Sequence, residues 1–452
     1  EYSCCGRSRA KSGKAPTNRE STSESNTNPA TERAQAVQPS KTITSGVCSR
    51  QIRTSKPLDG SRMSGQLKRA LQKHERWRTE QCLNLIASEN VTSPTVRKIL
   101  GCDLGHRYTA RDHFYLGSDF TDEVEEMARQ LVCDVFGSES ADVTPLSGHV
   151  ADMTLFTAFT RPGEKIVTVS ADDGGYPGIC EGGYPRVLGL RTLRFPFERD
   201  RWNIQTDKTV ELITSEKPRL VVLGASLILF PYQVEPVAKA CLETDAMLAY
   251  DGSHVLGLIA GGAFQQPLKE GARVLIGSTH KSLFGPQGGI VASFQTEGEA
   301  IKQTIFPAIV DNAHWNRIAA LAQALLEVKK FGRQYAAQVI RNSRALAQAL
   351  DEAGVPVRCR EYGYTASHQV LLDMDRLKDA EKIPDRLQEA NVIVDRGMRL
   401  GTNEMTRRGM QEKDMNEVAA IIARIVSGQD TPCAAKRKVI GLARKFRRVQ
   451  YA

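Results

Sequence analysis

The sequence predicts an α/β fold built on a mostly parallel sheet. Three observations predict it: short apolar runs that read as strands buried on both faces, amphipathic stretches between them, and small or polar residues where each run ends. The runs are Lys165-Ile-Val-Thr-Val, Arg219-Leu-Val-Val-Leu, Ala246-Met-Leu-Ala-Tyr and Arg273-Val-Leu-Ile. At 452 residues and 41% hydrophobic, the chain can bury a large core divided among two or three domains.

Taken in order, residues 1–62 are rich in Ser, Thr, Asn, Arg and Lys and poor in aromatics. That composition predicts a disordered or non-native extension, with folding, and translation itself, starting near Met63. An organellar transit peptide is the alternative, although five acids and no apolar face weigh against it. Helical spacing of Leu67, Leu71 and Trp77 predicts a helical arm from Ser64 to about Leu83. Helices are also predicted over Val150–Phe159, Pro236–Glu243, His314–Arg333 and Ala336–Ala353. After Gly354-Val-Pro a smaller α/β unit follows, with strands near Gln369–Met374 and Val392–Val394. Its last helix, Glu412–Ser427, is stopped by Gly428. The expected organisation is a large domain over 63–330, a small C-terminal domain over 331–430 and a basic tail over 431–452.

The net charge of +9 resides in the ends, where 1–62 carries +6 and 433–452 carries +7. The body between them is net negative, which argues against a nucleic-acid groove there. The tail Lys436-Arg-Lys438…Arg444-Lys-x-Arg-Arg448 reads as a basic helix that could meet a nucleic acid, or as a solvated end. Ten cysteines show no CxxC pairing or metal-like clustering, no apolar run has the ~20 residues of a membrane span, and residues 1–62 lack the apolar core of a secretory signal. A cytoplasmic protein with reduced thiols and no membrane or nucleic-acid partner is the expectation.

Ligands of open α/β sheets sit beyond the carboxyl ends of the strands. Three strand ends carry chemistry: Gly224-Ala-Ser226, Asp251-Gly-Ser-His254 and Ser278-Thr-His-Lys281, the last followed by the deformable Gly285-Pro-Gln-Gly-Gly289. A lysine at the end of a buried strand is costly unless it is paired or used. An acid at one strand end and a lysine at the next is what pyridoxal phosphate chemistry demands: the amine forms an imine with the aldehyde, and the carboxylate keeps the pyridine nitrogen protonated. Asp251 and Lys281 fill those positions. Ser147-Gly148-His149, before a helix, suits the phosphate. Tyr176, after Gly174-Gly175, suits the stacking face of the ring.

With these residues assembled, the chain resembles the serine hydroxymethyltransferase family through about residues 64–430. Leu85-Ile-Ala-Ser-Glu-Asn90 with Thr92-Ser-Pro94, Asp251-x-x-His254 with Gly257, Thr279-His-Lys281 with Gly285-Pro-x-Gly-Gly289, and Arg399-Leu-Gly-Thr with Thr406-Arg-Arg-Gly409 carry the resemblance in consistent order. It implies a fold-type-I, aminotransferase-like architecture: a mixed, mostly parallel seven-stranded large domain, a small C-terminal domain, and a homodimer with shared active sites. It implies serine or glycine as substrate, pyridoxal 5'-phosphate as cofactor and tetrahydrofolate as one-carbon acceptor. By resemblance Lys281 would bind the cofactor and Asp251 its pyridine nitrogen. Ser226 and His254 would meet the phenolic oxygen or substrate, and His280 would lie beside the reacting nitrogen. Arg399 and Ser88 would hold the substrate carboxylate, and Tyr108 and Tyr115 would reach across the dimer interface.

Four positions depart from the family pattern. Ala110 stands where the family has a glutamate used in proton transfer and folate handling, and Tyr176 replaces the stacking histidine. Gln287 replaces an arginine, and 306–314 replaces a glycine-rich loop that contacts phosphate. The base for the substrate hydroxyl is therefore open among Asp112, His113, Glu89 and water. A folate-independent aldolase or transaldolase acting on β-hydroxy amino acids such as threonine is the alternative activity.

Overall fold

The computed structural model describes residues 60–108 and 115–452, with side chains from Met63; the expectations for 1–59 and for Ala110, Asp112 and His113 fall outside these residues. The segment Met63–Ala452 forms one compact unit. Its centre is a seven-stranded sheet of β1 (Ser140–Asp142), β2 (Lys165–Thr168), β3 (Arg191–Arg194), β4 (Leu220–Leu223), β5 (Met247–Asp251), β6 (Val274–Ser278) and β7 (Gly289–Ser293). The spatial order is β1-β7-β6-β5-β4-β2-β3. Pairing is parallel from β6 through β5, β4 and β2 to β3, whereas β7 runs antiparallel to both β6 and β1. The predicted α/β class with a mixed, mostly parallel seven-stranded sheet is what the chain adopts.

The four strands read from the sequence are central or next to the edge, where helices cover both faces and every position of β4 and β6 is buried. The edge strands were not foreseen. Arg-Thr-Leu-Arg of β3 is exposed at both ends, and Ser-Ala-Asp of β1 is short and polar, as edges tolerate.

One helix, Trp315–Glu352, replaces the two expected over 314–333 and 336–353. Gly332 does not break it. A Cβ on Gly261 of the short helix Leu256–Ala260's cap would fall 2.5 Å from the Gly332 carbonyl oxygen, so the glycines let two helices approach closely. The first half of this long helix packs on the sheet. Its second half joins a separate core with Val370, Leu372, Leu387, Val392, Leu400, Met415, Val418 and Ile422.

In that second region Gln369–Leu371 pairs antiparallel with Arg399–Gly401, while Val392–Ile393 pairs in parallel with Leu83–Asn84. An early segment is thus threaded through the C-terminal layer: Ile86 bridges Leu400, and the Gly401 amide donates to the Leu85 carbonyl at 2.8 Å. The basic stretch is a helix, Pro432–Lys445, whose Ala435, Val439, Leu442 and Ala443 are buried in the second core. It is packed rather than frayed, because the apolar stripe hidden among its lysines and arginines recurs at helical spacing.

A buried ion pair links the layers. The fully buried Arg407 donates from Nη2 to Oε2 of Glu327 at 2.6 Å, and its guanidinium lies 3.8 Å from the centre of the Phe284 ring. Phe284 belongs to the turn after Lys281 and has φ of 55°, so this contact braces the lysine loop from behind. Among the described residues no helix is long and apolar enough to cross a membrane, and the seven described cysteines are free thiols.

Candidate active site

The site lies beyond the carboxyl ends of β4, β5 and β6, where the sheet leaves small residues and polar side chains. Asp251 closes β5, is 6% exposed, and accepts the Ser253 amide at 2.9 Å through Oδ1. Lys281 follows β6 by three residues. The loop after it is closed by its own backbone: Thr279 N–H donates to Gly288 O at 3.0 Å, and Gly285 N–H donates to Thr279 O at 2.8 Å. The Thr279 hydroxyl adds a bond to Pro286 O at 2.5 Å. This explains the glycines and proline beside the lysine, because a rigid hairpin holds its backbone while the side chain projects.

The Lys281 amine forms no ion pair or hydrogen bond among the described residues. Burial pulls its pKa down, against the pull of Asp251 and Asp152 in the other direction; Arg399 lowers it further. A buried, unpaired amine facing two carboxylates is poised to be a nucleophile. Asp152, which the sequence analysis missed, lies one turn beyond Gly148 in the helix Gly148–Phe159 and is 1% exposed, with Oδ1 lacking any partner. Desolvation, then the charge of Asp251, pushes its carboxyl well above the ordinary range, opposed by Lys281.

Ser147 caps that helix, its Oγ accepting from Val150 N–H at 3.2 Å. The first-turn amides of Gly148 and His149 are left for a ligand. A Cβ on Gly148 would lie 2.2 Å from Ser278 Oγ, and one on Gly289 would lie 2.3 Å from the Ser147 carbonyl oxygen. Only glycines let the helix start abut the ends of β6 and β7. The His149 ring meets Tyr176 edge-on at 5.7 Å, and its Nδ1 is buried without a partner. Tyr176 is half-buried and shares the field of Asp152 and Asp251.

His254 is 4% exposed and stacks in parallel on His368 at 5.8 Å. Burial, followed by the charges of Lys281 and Arg399, drives its pKa well below the usual value, so it is neutral. His280 is driven down to about 4 for the same leading reason, and its Nδ1 is buried without a partner. Ser226 enters through its backbone rather than its hydroxyl, the carbonyl accepting from Arg399 Nη1 and from Gln369 Nε2. Arg399 is pinned on its other side by Asp395, Nε to Oδ2 at 3.2 Å.

Ser88 lies half-buried beside the Arg399 strand because the preceding Ala87 carbonyl accepts His368 Nε2–H at 3.1 Å and Asn403 Nδ2 at 3.0 Å. Asn90, two residues on, donates to the Lys281 carbonyl at 2.9 Å and to the Tyr335 hydroxyl at 2.9 Å. Glu89 is tied to Arg78 and to Asn84 Nδ2, and its charge reaches His280. Lys281, Asp251, His254, His280 and Arg399 therefore share one field, with the Ser147–His149 helix start and Tyr176 at its edge.

Tyr108 and Tyr115 are not brought into this cluster. They contact each other at 4.9 Å and are 49% and 39% exposed, with the Tyr108 hydroxyl donating to Asp311. Residues missed by sequence reading, namely Asp152, His368, Gln369, Asn403 and Asp395, come from helix turns and from the second layer. Asp152 alone had a local signal, its i+4 spacing from Gly148.

Free first-turn amides, orphaned polar atoms on His149, Asp152 and His280, and an unpaired buried amine opposite Asp251 all fit pyridoxal phosphate. The fold and this site define a pyridoxal phosphate-dependent enzyme of fold type I. Comparison with known proteins narrows the class. The serine hydroxymethyltransferase family model matches residues 63–422. The serine hydroxymethyltransferase of Methanocella arvoryzae is 40% identical over 387 residues, covering 82% of this chain and 92% of the relative. That of Korarchaeum cryptofilum is 39% identical over 426 residues, 87% and 98% respectively. Among solved structures, the L-threonine transaldolase of Pseudomonas fluorescens in its internal aldimine state superposes with a TM-score of 0.80 at 28% identity, covering 85% of this chain and 92% of that one. The chain belongs to the serine hydroxymethyltransferase family, whose members are pyridoxal phosphate-dependent transferases.

Proposed function

We propose that this chain interconverts serine and glycine, passing the one-carbon unit to tetrahydrofolate. The observation that carries the reading is the unpaired, buried Lys281 amine facing Asp251 within a chain of this family. Bound pyridoxal phosphate supplies an electron sink for charge developing at the amino acid's α-carbon. The chain's residues do the rest. Lys281 offers an amine made more nucleophilic by burial, and Asp251 would hold the proton on the cofactor's ring nitrogen. The Gly148 and His149 amides with Ser147 would hold the phosphate, and Tyr176, beside His149, would supply a stacking face for the ring. Arg399, its fork fixed by Asp395 and the Ser226 carbonyl, grips the substrate carboxylate with Ser88. His280 stays neutral beside the amine. Glu89, whose charge reaches His280, accepts the serine hydroxyl proton in place of the absent glutamate at Ala110.

A second reading is folate-independent transaldol chemistry on β-hydroxy amino acids. It is supported by Ala110, by the altered 306–314 segment and by the likeness to the transaldolase. Serine cleavage measured with and without tetrahydrofolate decides between them. We expect the pterin to accelerate glycine formation at least about 10-fold, a loss of roughly 1.4 kcal/mol or more when it is withheld. Equal rates in its absence, with exchange of threonine against an added aldehyde, support the second reading.

We also propose a homodimer. Leu116 at 96% and Phe120 at 78% exposure follow the exposed, mutually packed Tyr108 and Tyr115 in sequence, and Leu67 and Leu71 are exposed on the helix Gly60–Glu80. Sedimentation equilibrium should return twice the 49.8 kDa chain mass. A monomer at micromolar concentration contradicts it. The free thiols favour a cytoplasmic location, which cell fractionation tests.

A further inference from the structure

We propose that Gln369 is a positioning residue that locks His254 in the Nε2–H tautomer and sets Arg399 through a carbonyl the two side chains share. The inference rests on the reading of the site given above and deepens it. Gln369 opens the strand Gln369–Leu371 and is fully buried. Its amide oxygen accepts the Ile228 backbone N–H at 2.8 Å. Its amide nitrogen lies 3.0 Å from the Ser226 carbonyl oxygen and 3.0 Å from Nδ1 of His254.

The orientation of the amide follows from these three partners. Flipped, the oxygen would face a carbonyl and the nitrogen would face an N–H, and both contacts would repel. With the oxygen on Ile228, the two amide hydrogens are committed to Ser226 and to Nδ1. An amide nitrogen cannot accept, so Nδ1 must carry a lone pair and the ring proton must reside on Nε2. An imidazolium is excluded by the same contact, since it would set Nδ1–H against the amide hydrogens. The surroundings agree: burial first, then Lys281, Arg399, His368 and His280, disfavour a cation at His254. His254 can therefore only donate from Nε2, and an oxygen of substrate or cofactor is the partner it fits.

The shared carbonyl extends the effect to substrate binding. Ser226 O accepts from Gln369 and from Arg399 Nη1, which fills both lone pairs. With Asp395 on Nε, the guanidinium is held at two of its edges and presents Nη2 to a carboxylate. One buried amide from the second layer thus fixes a proton on His254 and the direction of Arg399 at the carboxyl end of β4.

The test is Gln369→Glu in the cofactor-loaded enzyme, with histidines labelled by ¹⁵N. The ionised carboxylate has the same shape but only accepts, so it should pull the His254 proton to Nδ1 and leave Ser226 O without its second donor. Wild type should show His254 neutral and protonated on Nε2 from about pH 6 to 9, the span in which an ordinary histidine titrates or is neutral. Gln369→Glu should show the proton on Nδ1, lower the thermal midpoint as a buried carboxylate facing a carbonyl must, yet keep its bound-cofactor absorbance below that midpoint, raise KM for serine, and lower kcat about 10- to 100-fold, as losing an orienting partner does elsewhere. In a His254→Ala background the same substitution should cost kcat little, leaving only the KM effect. The proposal is overturned by a wild-type proton on Nδ1, by Gln369→Glu activity equal to wild type, or by losses that track cofactor release and unfolding alone. The tautomer is read without turnover, so a wild type inactive on serine would refute the proposed reaction and leave this assignment standing or falling by itself.

Discussion

Lys281→Ala will lose multiple-turnover serine–glycine interconversion by about a thousandfold or more while the chain still folds, since removing a covalent nucleophile costs this much in other enzymes. Folding should survive because the side chain removed is a buried amine without an ion pair, which costs the native state more than it contributes. A pH signature separates this from simple damage. The folded lysine is depressed, so over the range below the ordinary value near 10.4 the unfolded chain binds more protons. Cofactor-free wild type should therefore gain stability as pH rises from the lowered value toward the ordinary one, and Lys281→Met should lack that rise. Thermal melts across alkaline pH check it. Steady-state turnover by Lys281→Ala at the wild-type rate would remove this lysine from the chemistry.

The second large effect is expected at Arg399. Charge-assisted bonds from a planar fork contribute about 1.5–3 kcal/mol each, so Arg399→Ala should lower kcat/KM for serine roughly 10²- to 10⁴-fold. Arg399→Lys keeps the charge without the fork and should recover little of it. Asp395 and Ser226 occupy two edges of this guanidinium, and a lysine ammonium could not serve them and a carboxylate in the same directions. Kinetics over a range of serine concentrations decide the matter, and an Arg399→Ala kcat/KM within threefold of wild type contradicts the assignment.

The sequence was informative where function depends on local order along the chain. Central strands such as Leu220–Leu223 declare themselves by continuous burial, and the residues just past them are fixed by the sheet. Asp251 and Lys281 could therefore be paired before any coordinates. The edge strands could not be read, because an exposed Arg191–Arg194 looks like a loop until a neighbour supplies its hydrogen bonds. The strand Gly289–Ser293, buried throughout, was not foreseen because it begins inside the glycine run read as a loop. The Trp315–Glu352 helix was expected as two, with a break at 334–335, where the chain carries neither glycine nor proline and the helix runs straight through. Gln369 and His368 were invisible as site residues because nothing near them in sequence says that Ser226, His254 and Ala87 will be their partners. Ser226 shows the converse: its position was found, but its carbonyl rather than its hydroxyl makes the contacts.

The proposed chemistry depends on a covalent bond at one amine, that of Lys281. Borohydride reduction of the purified, cofactor-loaded protein, followed by peptide mapping, should place the pyridoxyl mass on the peptide that contains Lys281. A preparation that takes up no such mass after reconstitution, or that carries it on a different lysine, contradicts the assignment.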